Sequence, residues 1–208
     1  MCGRYSLSRP VDDLADYFQA HLAPGLAGAY EPSYNIAPTR SVVGLATTAH
    51  RQRVLGLYRW GFGGRQFNTR CEGAPDTTHR MAVVADGFFE WHEGQPLFFQ
   101  RRDGAPLALA GLWAAGSERM CTMLTTAAGP DVEGIHDRMP VILELEALAE
   151  WLDPAHLDRS RVKRILRAAP GGVLVRHPVD PRVGDVRNDG PELLERFEPP
   201  EPPLRLFG

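Results

Sequence analysis

The cysteine at position 2 is the residue of this sequence with the most distinctive chemistry. If Met1 is removed, Cys2 carries a thiol and a free α-amine on adjacent carbons. The amine titrates near ~7.7–8.0 and the thiol near ~8.5, so both have a reactive fraction at neutral pH. Such an aminothiol can attack an aldehyde through nitrogen and then close a ring through sulfur, or act as a thiol nucleophile towards an acyl group. The alternative is that position 2 merely requires a small residue.

Polar residues with useful chemistry alternate in four segments, and alternate side chains of an extended segment share a face. Taken alone, each segment is also typical of a half-solvated strand whose polar side faces water. The four sets are Cys2 with Arg4; Asn68 with Arg70 and Glu72; Glu90 with His92; and His136 with Arg138.

Glu90 fits the solvated-strand interpretation poorly, because it lies between Phe89 and Trp91. Desolvation there would raise the pKa of its carboxyl group towards neutrality, which suits a general acid–base. His136 precedes Met139 and Pro140 closely, and it is either a loop histidine or a proton-transfer group. The sequence therefore predicts proton chemistry most strongly at Glu90.

Arginines accompany these segments, and the guanidinium group is planar, permanently charged and well shaped for phosphate. Aromatic residues stand beside one of them in the run from Tyr58 to Phe62. Stacking rings with phosphate-binding cations are typical of single-stranded nucleic acid sites, although buried rings and solvated arginines explain the pattern equally well. The arginines concerned are Arg4, Arg59, Arg70, Arg80 and Arg138.

Composition limits the classes of protein to consider. The 208 residues carry a formal net charge of −3 and three cysteines without CxxC spacing. We therefore expect reduced thiols in a cytoplasmic protein, with no disulfide framework and no metal site. No apolar run is long enough to cross a membrane and no secretory signal is present, so we expect no membrane partner. The acidic balance counts against a general nucleic-acid binder, but the distribution of charge matters more than its sum.

Patterns of apolar and turn residues predict many strands and few helices. We expect a single β-rich α+β domain over residues 1–198 and a loosely held Pro-rich tail over residues 199–208. Loops are predicted over Ala23–Thr39 and Gly61–Arg80. Helices are predicted over Val11–Leu22, Glu146–Leu152 and Ser160–Ala169. Strands are predicted over Gly3–Ser8, Ser41–Thr48, Arg51–Trp60, Met81–Ala85, Gly87–His92, Pro96–Arg101, Leu107–Trp113, Arg119–Thr126, Val141–Leu145 and Gly172–Pro178.

Taken together, the motifs resemble the SRAP family of SOS-response-associated peptidases, or abasic-site processing proteins. They follow the family order as far as about Leu143, with a weaker match around Val186–Asn188. The matching runs are Met1–Tyr5, Tyr34–Thr39, Arg59–Phe62, Asn68–Glu72, Ala85–Trp91, Leu124–Ala127 and His136–Pro140.

The resemblance implies a fold with a barrel-like core of mixed strands surrounded by a few helices. It also implies a positively charged groove for single-stranded DNA and covalent capture of an abasic site by an exposed Cys2, without a cofactor or metal. It implies catalytic roles for Cys2, Asn68, Glu90 and His136. We expect DNA contacts from Arg4, Arg59, Trp60, Arg70, Arg80, Trp91, Thr125 and Arg138, and a monomer that joins the nucleoid when engaged on DNA.

The chain departs from the family pattern at two places. Only residues 63–67 separate Phe62 from Asn68, where relatives carry a longer loop, and this bears on DNA affinity more than on chemistry. The run Met81–Val84 replaces a stretch that usually contains Cys and Pro, which we interpret as a change in packing.

Rival functions remain open at the level of sequence. Glutamine amidotransferases also begin Met-Cys-Gly, but they continue with an apolar residue where this chain has Arg4, and the Asn-Gly loops that they carry are missing here. A peptidase acting through Cys2 would have only Met1 to remove. A non-catalytic single-stranded DNA-binding module is the third interpretation. A zinc deaminase is disfavoured, since His92 and Glu93 have no P-C-x-x-C partner.

Overall fold

Strands dominate the computed structural model of the protein, which describes residues 2–74, 79–154 and 158–198. The helices within these ranges are α1 (Val11–Phe18), α2 (Leu26–Ala29), α3 (Leu145–Leu152) and α4 (Arg159–Ile165), with 3-10 turns at Cys71–Gly73, Pro181–Gly184 and Pro191–Leu194. The strands there are β1 (Tyr5–Leu7), β2 (His21–Leu22), β3 (Ser33–Ile36), β4 (Ser41–Thr47), β5 (Arg53–Trp60), β6 (Asn68–Arg70), β7 (Arg80–Ala85), β8 (Gly87–His92), β9 (Gln95–Arg101), β10 (Leu107–Ala114), β11 (Met120–Ala127), β12 (Arg138–Pro140) and β13 (Leu174–Pro178).

An eight-stranded mixed sheet forms the barrel-like core. Its strands run in the order β12-β11-β10-β7-β4-β5-β2, and β6 pairs with β11 outside this path. The strand β5 also pairs with β11 in parallel, through Arg59 with Met120 and Trp60 with Cys121. This short pairing completes a ring of β5, β4, β7, β10 and β11, which leaves these strands no open edge at that point. The predicted β-rich α+β architecture with a barrel-like core is confirmed.

A five-stranded antiparallel sheet, in the order β13-β9-β8-β1-β3, brings the start of the chain to Glu90. Tyr5 of β1 is opposite Phe88 of β8, and the Phe89 N–H donates to the Arg4 carbonyl at 2.9 Å. Because β1 and β8 are antiparallel, the residues before Tyr5 run alongside the residues after Phe88. The sheet therefore positions Cys2 near Glu90.

Alternation along β8 divides its side chains between two apolar clusters. Phe88 belongs to the main cluster, which also contains Cys2 and Trp60. Phe89 belongs to a smaller cluster, with Trp91 packed against it. Glu90 consequently shares a face with Phe88 and enters the interior, as its sequence neighbours predicted.

Most predicted strands and helices are confirmed, with several differences. The predicted loop Gly61–Arg80 contains β6, and β12 was not predicted. The helix α1 ends at Phe18, because Gln19 adopts a left-handed φ of 52° and the chain then enters β2. The predicted loop Ala23–Thr39 contains α2 and β3. Val141–Leu145 is not a strand. Its backbone hydrogen bonds go to two different strands: the Val141 N–H donates to the Leu124 carbonyl of β11, and the Leu143 N–H donates to the Ala108 carbonyl of β10. The predicted tail over residues 199–208 lies outside the described residues.

Candidate active site

Cys2 lies fully buried beside Asn68, the first residue of β6, so the expectation that Cys2 is exposed is wrong: the residue packs in the main apolar cluster. Its thiol is 3.9 Å from the Arg4 carbonyl, and its own carbonyl accepts a hydrogen bond from Asn68 Nδ2 at 2.7 Å. The other amide atom, Asn68 Oδ1, is buried and has no hydrogen-bond partner among the residues that the structure describes. An acceptor is thus available next to the backbone of Cys2.

The electrostatics of Cys2 connect it to Glu90. Burial, and next the negative charge of Glu90, raise the pKa of the Cys2 thiol well above its ordinary value. A protonated thiol is a weak nucleophile, so the thiol of this site needs a base before it can react.

Glu90 is the buried carboxyl group of the site, with 3% of its surface exposed. Burial raises the pKa of Glu90, while the positive charges of the chain's N-terminus and of His136 act in the opposite direction. This confirms the predicted direction of the shift. A carboxyl group whose pKa is raised by burial is suited to general acid–base catalysis.

His136 is half-buried and borders an open cavity of about 460 Å³ that Asp137 also lines. Its Nδ1 accepts the Arg138 backbone N–H at 2.9 Å. Asp137 Oδ1 lies 2.9 Å from the same nitrogen, but a nitrogen that accepts from Arg138 cannot also donate a proton to a carboxylate. We assign the proton to Nε2 on this hydrogen-bond geometry, which makes His136 a donor on its other side.

Arg138 is held by Glu72. The sequence analysis grouped Glu72 with Asn68 and grouped Arg138 with His136, so it did not predict this pairing. Arg138 donates to both carboxylate oxygens of Glu72, at 2.7 and 2.9 Å, and to the Thr125 carbonyl at 2.6 Å. The hydrogen bonds from Arg138 lower the pKa of Glu72 to about 2. The alternation of Asn68 and Glu72 was the only sequence signal that Glu72 belongs to the site.

Arg4 is anchored by Asn35, whose role the sequence analysis did not identify. Arg4 Nη1 donates to Asn35 Oδ1 at 2.7 Å and to the Val183 carbonyl at 2.6 Å, and its guanidinium lies 5.9 Å from the Trp91 ring centroid. Asn35 Nδ2 lies 2.8–3.1 Å from the carbonyls of Val183, Asp185 and Asn188. Asn35 therefore ties the start of the chain to residues 183–188; its place in the Tyr34–Thr39 motif was the available signal.

The predicted DNA-contacting residues divide by burial. Arg59 and Arg70 are exposed and Trp91 is half-buried. Trp60 is fully buried and donates from Nε1 to the Phe67 carbonyl at 2.8 Å, next to Asn68. Arg80 is 5% exposed and donates to the carbonyls of Trp151 and Asp153, and Thr125 is fully buried. Burial argues against direct DNA contact by Trp60, Arg80 and Thr125, and we leave them out of the proposed interface.

The described residues contain no group of three or more His, Cys, Asp or Glu side chains arranged to hold a metal ion. Among the same residues, no helix combines the length and the apolar character that crossing a membrane requires.

Comparisons with known proteins identify the family of this chain. The family model described as SOS response associated peptidase (SRAP) matches residues 1–186. This chain belongs to the SRAP family. The match contains every candidate residue discussed above. It ends within residues 183–188, the segment whose carbonyls Asn35 binds.

Three curated SRAP relatives carry the name abasic site processing protein. YoqW of Bacillus subtilis (strain 168) is 30% identical over 225 residues, which cover 94% of this chain and 99% of YoqW. YedK of Escherichia coli (strain K12) is 30% identical over 222 residues, covering 94% and 99%. HMCES of Gallus gallus is 31% identical over 230 residues, covering 82% of this chain and 68% of HMCES.

Solved structures share the fold. A crystal structure of a protein from Bacteroides thetaiotaomicron has a TM-score of 0.80 at 18% identity, and covers 95% of this chain and 100% of that chain. A second, from Bordetella bronchiseptica, has a TM-score of 0.69 at 26% identity, covering 86% and 100%.

Proposed function

We propose that this protein processes abasic sites in single-stranded DNA by forming a covalent thiazolidine link between Cys2, freed of Met1, and the open-chain aldehyde of the damaged sugar. The observation that carries the proposal is the meeting of Cys2 with Asn68 and Glu90, next to His136. The names of the SRAP relatives support the same substrate. The link would shield the abasic site during the response to DNA damage.

The amine of Cys2 begins the reaction. Its lone pair adds to the aldehyde carbon and gives a carbinolamine. Asn68 is suited to orient this amine, because its Nδ2 already holds the Cys2 carbonyl and its Oδ1 is buried beside it. Held together, amine and aldehyde react with an effective molarity of ~10⁵ M or more when the geometry is good.

Glu90 moves the protons of the next two steps. In its protonated form it gives a proton to the carbinolamine hydroxyl, which leaves as water and produces the imine. That product is the protonated imine, so the nitrogen already carries its hydrogen. The resulting carboxylate accepts the proton of the Cys2 thiol as sulfur adds to the imine carbon, and Glu90 ends protonated, as it began. One water is released overall. The raised pKa values of Glu90 and Cys2 suit this order, because burial favours the protonated form of each group.

His136 acts on the sugar, by donating a proton, and not on Cys2. An abasic deoxyribose is mostly a closed hemiacetal, and ring opening needs a proton on the ring oxygen. The tautomer assigned above places a proton on Nε2 of His136, on the side opposite Arg138. Exposed Arg70 and half-buried Arg4 would hold the flanking phosphates, whereas Arg138 is buried and bound to Glu72, so we leave it out of the interface as well.

The imine stage also permits weak strand cleavage by β-elimination, and Glu90 with His136 could run the steps backward to release the DNA. Removal of Met1 by the protein itself would complete the set of activities. We expect a monomer in the cytoplasm that is found at the nucleoid when it is engaged on DNA.

Intact mass spectrometry with a single-stranded abasic oligonucleotide tests the proposal. We expect the mass of the protein without Met1, plus the oligonucleotide, minus one water. Cys2→Ala should abolish the product, whereas Cys121→Ala, which removes a buried thiol of the barrel, should retain it. A heat-stable adduct formed by Cys2→Ala would refute the scheme.

Salt and glutamine separate the rival functions. A covalent adduct survives high salt, whereas binding through phosphates alone weakens steeply with it. Release of ammonia from glutamine without any adduct would favour the amidohydrolase interpretation instead.

A further inference from the structure

A second cavity, of about 300 Å³, opens between β1 and the start of β4. This volume is at the lower end of the ~300–1,000 Å³ that small-molecule sites occupy. Leu7, Ile36 and Leu57 supply apolar lining, and Arg40 and Arg59 are the cations that line it. The combination of apolar and cationic lining suits a ligand with a flat apolar part and a negative charge.

The two arginines are exposed side chains on a fixed backbone. The Trp60 N–H donates to the Arg40 carbonyl at 3.0 Å, and Arg59 is opposite Ser41 in the pairing of β5 with β4. Neither arginine forms an ion pair with a carboxylate of the described chain, although Glu31 also lines the cavity. Two guanidinium groups so placed match the oxygens of a phosphate.

Tyr30 adds an anchored aromatic ring to the same cavity. Its hydroxyl oxygen lies 3.0 Å from the Leu7 carbonyl and 2.8 Å from the Arg9 carbonyl. A ring fixed at its far end loses little conformational freedom when a nucleobase stacks on it, and such stacking tolerates any base.

The cavity is within reach of a strand that reacts at Cys2. Leu7 lines it, and residues 2 to 7 span at most ~18 Å when fully extended. One strand of B-form DNA advances ~3.4 Å per phosphate along the helix axis, so about five nucleotides or fewer bridge the two places.

We propose that this cavity holds one nucleotide of the single strand whose abasic site reacts at Cys2, with its phosphate on Arg40 and Arg59 and its base against Tyr30. The proposal rests on the proposed function for the identity of the strand. It adds a second point of contact, remote from the reacting sugar, that sets affinity and not chemistry.

The first test measures binding of an undamaged single strand of about 12 nucleotides, within the ~4–16 that such grooves cover, by fluorescence anisotropy. The Arg40→Gln/Arg59→Gln variant should lower the slope of log Kd against log salt by about 0.7, the value for one phosphate contact on a single strand, because the two arginines share one phosphate. Relative to 1 M salt, this weakens binding at 0.1 M by about fivefold. The matched control is Arg102→Gln/Lys163→Gln, which removes the same charge from exposed positions and should change little.

The second test separates stacking from charge. Tyr30→Leu should weaken binding by about fivefold or more without changing the salt slope, because stacking is not electrostatic. Tyr30→Phe retains the ring but loses the hydroxyl that holds it, so it should weaken binding less than Tyr30→Leu does.

The outcomes distinguish this proposal from the proposed function. If the double arginine variant matches its control in Kd and in salt slope while the wild type still forms the Cys2 adduct, the cavity proposal is wrong and the chemistry stands. If the wild type forms no adduct but the arginine and tyrosine variants bind undamaged DNA as described, the cavity proposal stands and the chemistry fails.

Discussion

Replacing Glu90 by glutamine should stabilise the fold at neutral pH while it removes the proton transfer. The carboxyl group is 3% exposed, and burial raises its pKa in the folded state. Between the unfolded pKa and this raised folded pKa, the folded protein binds more protons than the unfolded chain. Stability therefore falls as pH rises through that window, and glutamine, which has the same shape and no charge, does not suffer this loss.

The expected size of the effect follows from desolvation. Burying a polar group costs ~1–3 kcal/mol, and the positive charge of the N-terminus offsets part of this for the ionised Glu90 carboxylate. We therefore expect Glu90→Gln to raise the free energy of unfolding by about 1 kcal/mol at pH 8, which moves the melting temperature of a domain this size by ~2–4 °C. Near pH 4 the two proteins should be equally stable, since both then carry a neutral side chain at this position.

Urea unfolding between pH 4 and pH 8 measures this difference, and Glu133→Gln is its control because Glu133 is exposed. The same samples, given abasic oligonucleotide, should show that Glu90→Gln forms the adduct far more slowly. Destabilisation by Glu90→Gln at every pH would mean that the fold needs the carboxylate, and the reasoning about its pKa would then be wrong.

Two further predictions concern the residues that support the site. Glu72→Gln should lower the free energy of unfolding by about 1 kcal/mol above pH 5, a value reduced for solvent screening because Glu72 is 56% exposed. The pKa of Glu72 is lowered to about 2 by Arg138, so the gap to wild type should close as the pH falls from 4.5 towards 2 in urea unfolding, and a gap independent of pH would contradict the pairing. Trp60→Phe removes the hydrogen bond to the Phe67 carbonyl beside Asn68; it should cost about 1–3 kcal/mol and slow adduct formation at saturating DNA while leaving Kd for undamaged DNA unchanged. A weaker Kd with an unchanged rate of adduct formation would instead indicate that Trp60 contacts DNA.

The environment of Glu90 could be predicted from its neighbours alone. Alternation along β8 places Phe89 and Trp91 on one face and Glu90 on the other, and the two apolar clusters on either side of this sheet bear that out. The pairing of β4 with β5 was equally local, since short turns join strands that are adjacent in sequence. In both cases a period of two residues carries the information.

Patterns of residue type could not predict that Trp60 and Arg80 are buried, or that Glu72 pairs with Arg138. The sequence around Trp60 is compatible with a DNA groove and with a barrel core. The β5–β11 pairing, which closes the ring, places Trp60 in the core. Arg80 is covered by α3, whose Trp151 carbonyl it binds from 71 residues away along the chain.

The sequence by itself determined which residues are capable of chemistry, and which of them share a face within one strand. Tertiary structure decided which of those faces meet: Cys2 with Asn68 and Glu90, Arg138 with Glu72, and Arg4 with Asn35. The physical reason is that the alternation of a strand is fixed by local backbone geometry, whereas contact between strands depends on pairing and burial across the whole chain. Burial then set the proton affinities of Cys2 and Glu90, on which the proposed reaction depends.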